Sequence, residues 1–393
     1  MTVQYPLVKA TDSELYSLCQ CIWVWESCTC NDKLCHCSEE VDRADRMGRL
    51  RRYLDFYRRL TSAYEPAVET GSLPALSSHV DLIRIIQTLK ENPNILRSQL
   101  AGVMFPDQQY QQGDVDMAIS LAVKALCMVS SGGSTSVSLP HTVVLLETGS
   151  HHITWRDDVS FRAFLDASFP LSDNLALNDH ESLFSDLTTS LSAVQLKKHS
   201  GLEFEPTDSL QNHLKLDRRA GTVQVFHHLA FLKEHLRSTY YQSTKTNEKE
   251  TSHTSAVILP RQLCLEAIDS IQKVLFPLTD GKSRELLQSL VSMAGFDPDT
   301  LRFDSSSIRR PEERSIKYCY FGARLLDLRA ELQDPRPRGL VEKWLQRRSG
   351  ARYVMLATLI GVIFAVVLGM CALALSALQT WIAWQQWRHP NGE

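Results

Sequence analysis

The residues best equipped for chemistry lie in one short stretch, CQCIWVWESCTCNDKLCHC. Cys19 and Cys21, Cys28 and Cys30, and Cys35 and Cys37 form three C-x-C pairs, with His36 inside the last. Thiolates at that spacing can share a soft ion. A Zn or Cu(I) cluster held by Cys19, Cys21, Cys28, Cys30, Cys35 and Cys37 is therefore one expectation. Ordinary zinc modules use C-x-x-C or wider pairs, and this pattern departs from them. S-acylation beside Trp23 and Trp25 is a second reading. Burial as small apolar side chains in a helix packed on the body is a third. A disulfide framework is disfavoured where thiols stay reduced.

Other constellations point to less. His151–His152 and His227–His228 are paired, with Glu234 and His235 following, but they lack metal-ligand companions at the usual spacings. They read as core or surface histidines. LTDGKSRELL holds Gly281, Lys282 and Ser283 without the earlier glycine and strand of a phosphate loop, so it reads as a helix start. Arg43, Arg46, Arg49, Arg51, Arg52, Arg58 and Arg59 crowd one helix. They read as a solvated face paired with an acidic body, with phosphate, nucleic acid or anionic lipid as the alternative. No nucleophile elbow and no dinucleotide fingerprint is present, so no catalytic residue is assigned and a non-enzyme is expected.

These residues must be positioned by helices. Apolar positions recur every three or four residues over about 41–63, 80–91, 94–104, 117–128, 161–167, 261–275, 283–293 and 321–332. Asn94 is a candidate cap for the third of these. SSGGSTSVSLP (130–140) reads as a flexible break and HTVVLLET as a strand. Residues 214–236 read strand, turn, strand, helix. FEPTDSLQNHLKLD with VQVFHHLAFLKEHL resembles FDPDTLRFD with IKYCYFGARLLDL. Each reads as an acidic Pro turn, a hairpin and a helix, which suggests a duplication and winged-helix-like units. The third helix of such a unit, DVDMAISLAVKALCMV, is acidic and apolar, so nucleic acid is not the expected partner.

One segment says where the chain resides. No charged residue occurs from Tyr353 to Trp387, and Val354–Leu378 is nearly all apolar. A helix of that stretch is ~37 Å long against ~30 Å of bilayer hydrocarbon. Trp344, Arg347, Arg348, Arg352 and Tyr353 flank one end as an interface, and Trp381, Trp384 and Trp387 flank the other. Residues 336–352 carry a net +5, which leaves −8 for the rest of a chain whose net charge is −3. The positive-inside rule then puts the preceding body in the cytosol. The opening residues lack a signal-peptide pattern, so a tail anchor is expected. Ala357, Gly361, Ala365 and Gly369 recur every fourth residue and suit close helix–helix packing, hence a homodimer.

PRPRGLVEKWLQRRSGARYVMLATLIGV resembles the corresponding end of an uncharacterised fungal single-pass membrane protein family. The resemblance is firmest over about 335–390 and extends loosely to LPRQLCLEAIDSIQKVLFPL and YCYFGARL. It implies topology and source and carries no activity.

The expected fold is mainly α with small β-hairpins, in two soluble lobes plus one transmembrane helix. The expected segments are a Cys-rich 1–40, a helical lobe 41–239, a disordered linker 240–255 and a second lobe 256–335. A basic juxtamembrane 336–352, a span 353–378 and a tail 379–393 follow. The expected function is a membrane-tethered interaction or signalling adaptor. A metal-thiolate protein at a membrane and a membrane-held nucleic-acid regulator are the alternatives. The bilayer is the expected partner, alongside protein partners that the sequence does not identify.

Overall fold

The structure is a computed structural model. It describes residues 7, 9–23, 25, 39–66, 72–106, 109–132, 153–171, 191–245, 258–277, 279–303, 308–314, 316–335 and 352–388, with the backbone alone at 39–43, 240–245, 311, 314 and 352–357. The chain divides into two compact units, Met1–Pro335 and Arg336–Glu393.

The first unit contains helices α1 (Asp12–Trp23), α2 (Glu39–Arg49), α3 (Arg51–Ser62), α4 (His79–Glu91), α5 (Arg97–Met104), α6 (Gln112–Cys127), α7 (Phe161–Ser168) and α8 (Ala193–Ser200). Strands β1 (Glu203–Thr207), β2 (Lys215–Asp217) and β3 (Thr222–Phe226) come next. Helices α9 (Leu229–Lys245), α10 (Arg261–Asp269), α11 (Gly281–Met293) and α12 (Gly322–Gln333) complete it. The second unit contains α13 (Arg352–Arg388).

Sequence chemistry accounts for the main elements. Ser78 opens α4, and its N–H donates to the Asp81 carboxylate at 2.9 Å, a capping arrangement that fixes the first turn. Leu82, Ile85, Ile86 and Leu89 then face inward, and Pro93 follows the helix end. α6 buries Val115, Ala118, Ile119, Leu121, Ala122, Val123, Ala125 and Leu126, which cover most of its circumference. Such a helix belongs in the interior, and α3 and α4 pack against it. Asp280 caps α11 by accepting from the N–H groups of Lys282 and Ser283. The GKS stretch is thus the helix start that its sequence indicates.

The sheet has the order β1-β3-β2. β2 and β3 form the expected hairpin, with Lys215 opposite Gln224. Asp217 accepts from the N–H groups of Arg219 and Ala220 in the turn, and Gly221 takes a φ of 79° there, a conformation that suits a residue without Cβ. FEPT, expected as a turn, is β1 instead. It pairs parallel to β3, with Thr207 opposite Phe226.

Several expectations are corrected. The single helix over 41–63 is two helices that meet at Leu50. Leu96 stands at the start of α5 in place of Asn94, and its N–H donates to Gln99 Oε1. The run 261–275 is α-helical to Asp269 and π-helical over Ser270–Leu275. Among the described residues, no second hairpin exists. Leu301 ends a 3-10 turn, and 316–320 form a loop whose backbone is held by a side chain. Glu266, fully buried, accepts from the N–H groups of Cys319, Tyr320 and Phe321 at 2.7, 2.8 and 3.0 Å. The proposed duplication therefore fails at its strands. No hairpin wing follows α4–α6 or α10–α11 among the described residues.

The two expected soluble lobes are one unit. α10 packs along α9, and α12 packs on α8 and β2, so the core runs across the expected boundary. The expected linker begins inside α9, which continues to Lys245. The expected break at 130–140 begins in ordered chain. Ser131 O accepts from Trp155 N at 2.8 Å, and Ser130 N donates to Gln211 Oε1 at 3.2 Å. The HTVVLLET strand, residues 246–257 and the basic segment 336–351 lie outside the described residues. α13 runs ten residues past the expected end of the span, so Trp381, Trp384 and Trp387 stand on helix and not on a tail.

Candidate functional site

Parallel pairing of β1 with β3 does more than close a sheet. Because Thr207 lies opposite Phe226, the next residues on each strand, Asp208 and His227–His228, leave the sheet side by side. Asp208 Oδ1 lies 2.7 Å from His228 Nε2 and 3.4 Å from His227 Nε2. Arg59 reaches the other carboxylate oxygen from α3 at 3.3 Å. Asp208, His227 and His228 are a group whose ligand atoms lie close enough to hold a metal ion. Sequence reading missed the site because it expected a turn at 204–208, which leaves Asp208 with no reason to meet the histidines.

The hydrogen bonds decide what this cluster can do. His227 Nδ1 accepts from the N–H of Asp297 at 3.1 Å. The neutral ring must then carry its proton on Nε2, facing Asp208. A metal ion needs the Nε2 lone pair, which that proton occupies. Asp208 is therefore a carboxylate acceptor fed by two imidazole N–H groups and a guanidinium. Burial pushes its acidity down, but the His227 and His228 hydrogen bonds outweigh burial and hold the carboxyl well below its usual range. Burial, with the neighbouring His227, pushes His228 down to about 3. The cluster ties β1, β3 and α3 together and does not present a ready ion site.

Of the six cysteines, Cys19 and Cys21 lie among the described residues, and they separate. Cys19 is fully buried on α1, and its thiol is pushed far up by burial. Cys21, two residues on, points elsewhere: its Sγ lies 3.8 Å from Ile83 O. Positions two apart on an α-helix face nearly opposite ways, so Cys19 and Cys21 do not converge on one ion. The helix turns the first C-x-C pair into a packing pair. Cys28, Cys30, Cys35 and Cys37 lie outside the described residues.

The tryptophans beside those cysteines are structural anchors. Trp23 Nε1 donates to His235 Nδ1 at 2.9 Å, and Trp25 Nε1 donates to Glu234 Oε2 at 3.2 Å. Arg46 of α2 meets the same Glu234 oxygen at 2.6 Å and lies 4.5 Å over the Trp25 ring. Arg237 pairs with the other Glu234 oxygen. Lys90 donates to the carbonyls of Cys21 and Ile22, and Ser238 donates to that of Trp23, so the end of α1 is satisfied by side chains. Burial, with Lys90 nearby, pushes His235 down to about 3.

The arginines of α2 and α3 are mostly spoken for. Arg46 meets Glu234, Arg49 meets Asp45 at 2.8 Å, Arg58 meets Asp55 at 3.0 Å, and Arg59 meets Asp208. That pairing fits the solvated-face reading. Beside α11, a groove of about 210 Å³ is lined by Phe276, Arg284, Leu287, Gln288, Leu301 and Phe303. Ordinary small-molecule pockets hold ~300–1,000 Å³.

In the second unit, Thr358–Arg388 is long and apolar enough to cross a membrane, and its most apolar stretch is not buried among the described residues. Gly361 and Gly369 have open space where a Cβ would stand. Trp381 and Trp384 are about half exposed and Trp387 is more so. Arg388 lies 4.7 Å over the Trp384 ring. Arg352, Tyr353 and Ala357 belong to the helix backbone of α13, while Trp344, Arg347 and Arg348 lie outside the described residues.

Compared with protein-family models, curated proteins and solved structures, the chain matches none of them.

Proposed function

We propose that the protein is a membrane-anchored, non-catalytic interaction or signalling-adaptor protein, with α13 crossing a bilayer and the Met1–Pro335 unit on the cytosolic side. One observation carries this reading. α13 exposes Leu359, Val362, Ile363, Phe364, Val366, Leu368, Met370, Leu373 and Leu375 on every side of a single helix. So much contiguous apolar surface has no stable place in water, whereas hydrocarbon accepts it. The basic residues of 336–352 support the orientation. Anchoring confines the body to a surface and raises its effective concentration for partners held there.

The two sides of α13 support lateral pairing. Thr358, Gly361, Ala365, Gly369, Ala372, Ser376, Gln379 and Ala383 recur every three or four residues, so one face is small or polar along most of its length. Leu359, Ile363, Val366, Met370, Leu373, Trp381 and Trp384 form a bulky stripe on another. The small face lets two backbones approach, and its polar side chains find partners across the pair. Thr358 extends this face better than Ala357 does.

Protease treatment of sealed vesicles tests the orientation. Cleavage of the body by protease added on the cytosolic side, with α13 protected, supports the reading. Protection of the body from that protease contradicts it.

A further inference from the structure

Resting on the membrane-spanning reading, we propose that the last two turns of α13, Trp381 to Arg388, bind the headgroup layer of a phospholipid bilayer and thereby fix the depth of the helix. Three observations converge. The helix does not stop where its apolar run ends but continues unbroken to Arg388. In this extension the side chains change character: Trp381, Trp384 and Trp387 recur every third residue, and Gln385 and Gln386 stand between the last two. An indole suits the layer where apolar chains give way to headgroups, because its ring is apolar and its N–H needs an acceptor. Finally, the Arg388 guanidinium lies 4.7 Å over the Trp384 ring. That stacking presents a cation on the same side as the tryptophans, where a lipid phosphate is the complementary charge.

The arithmetic of the helix agrees. From Trp381 to Arg388 is ~10 Å of rise, enough to cross one headgroup layer of ~5–8 Å. With Trp381 at the hydrocarbon edge, ~30 Å of hydrocarbon reaches back twenty residues, to Gly361. The part of the small face from Gly361 to Gln379 then lies in hydrocarbon, and Thr358 stands at the opposite headgroup boundary. Without this anchor, the apolar run starting at Val354 would allow any register over two turns.

Depth-dependent quenching tests the proposal. The full chain is reconstituted into phosphatidylcholine vesicles whose acyl chains carry bromine either near the glycerol end or near the methyl end. Subtracting the W381F/W384F/W387F variant isolates the three tryptophans from the rest. Cys371→Trp on that triple background is the ruler, since residue 371 lies midway between Gly361 and Trp381. The expected result is stronger loss of the three-tryptophan signal with bromine near the glycerol end, and stronger loss of the Trp signal at 371 with bromine near the methyl end. If position 371 is quenched deep while the three tryptophans are unquenched or equally deep, the headgroup anchor is wrong and the span stands. If position 371 is quenched by neither lipid, the span itself is wrong and the anchor falls with it.

Discussion

Trp23 Nε1 donates to His235 Nδ1 at 2.9 Å across 212 positions of sequence. The bond joins the start of the chain to the middle of α9 and requires a neutral imidazole with its Nδ1 lone pair free. Trp23 also packs edge-on against Tyr53 and Phe231. The N-terminal helix is thus part of the core and not a detachable metal-binding arm.

Replacing Trp23 with Phe keeps most of the packing and strands the His235 acceptor. A buried acceptor without its donor costs about 1–3 kcal/mol. Chemical denaturation of the full chain in detergent should show a loss of that size, and an unchanged midpoint would contradict the assigned bond.

His235 gives a pH dependence with a definite sign. Its pKa is about 3 when folded and about 6.5 when unfolded. The unfolded chain therefore takes up a proton that the native chain refuses. The stability tied to this neutral imidazole is fully present above pH ~6.5 and is lost as pH falls toward 3, at about 1.4 kcal/mol per pH unit. His228 behaves alike, while Asp297, pushed up to about 6 by burial, opposes both at lower pH. The comparison of wild type with His235→Gln isolates the one group, since glutamine offers the Trp23 N–H a neutral acceptor. The stability deficit of the variant should shrink steadily from pH 6.5 to 4. A deficit that is constant over this range would be inconsistent with a neutral buried His235.

Glu266 holds three successive backbone N–H groups at the start of α12. Glu266→Ala leaves them buried or wet without a partner, and a loss of about 3 kcal/mol or more is expected. Hydrogen exchange gives the local readout. The amides of Cys319, Tyr320 and Phe321 should lose protection in the variant while those of α6 keep theirs.

Cys19→Ser places a hydroxyl in an apolar, fully buried position and should cost about 1–2 kcal/mol. It should not change the zinc or copper content of the purified chain, because Cys19 and Cys21 face different ways on α1. A metal stoichiometry that falls in this variant would restore Cys19 as a ligand.

Gly361→Leu with Gly369→Leu fills the small face of α13. Self-association of the full chain in detergent, measured by sedimentation, should weaken about tenfold or more, equivalent to roughly 1.4 kcal/mol. Equal association of both forms would remove the small face from the account of pairing.

The helices were legible in the sequence because their buried positions follow the helical period. Leu82, Ile85, Ile86 and Leu89 in α4 are an example. The hairpin of β2 and β3 was legible from its turn residues. β1 was not, because Pro206 and two glutamates read as a turn, and nothing local announces a parallel partner that lies nineteen residues on. Asp208 was lost with it. The Trp23–His235 and Trp25–Glu234 bonds are long-range side-chain pairs, and no local pattern encodes them. Cys19 and Cys21 illustrate the opposite error. Their spacing suggests chelation in an extended loop, and the helix that contains them turns the thiols apart.

Alkaline carbonate extraction of cell membranes carrying the full chain tests the central claim most directly. The account predicts that the intact protein stays in the membrane pellet and is released only by detergent, and that V366R/L368R moves it to the supernatant. Intact wild-type protein in the carbonate supernatant would contradict the reading of α13 as a membrane span.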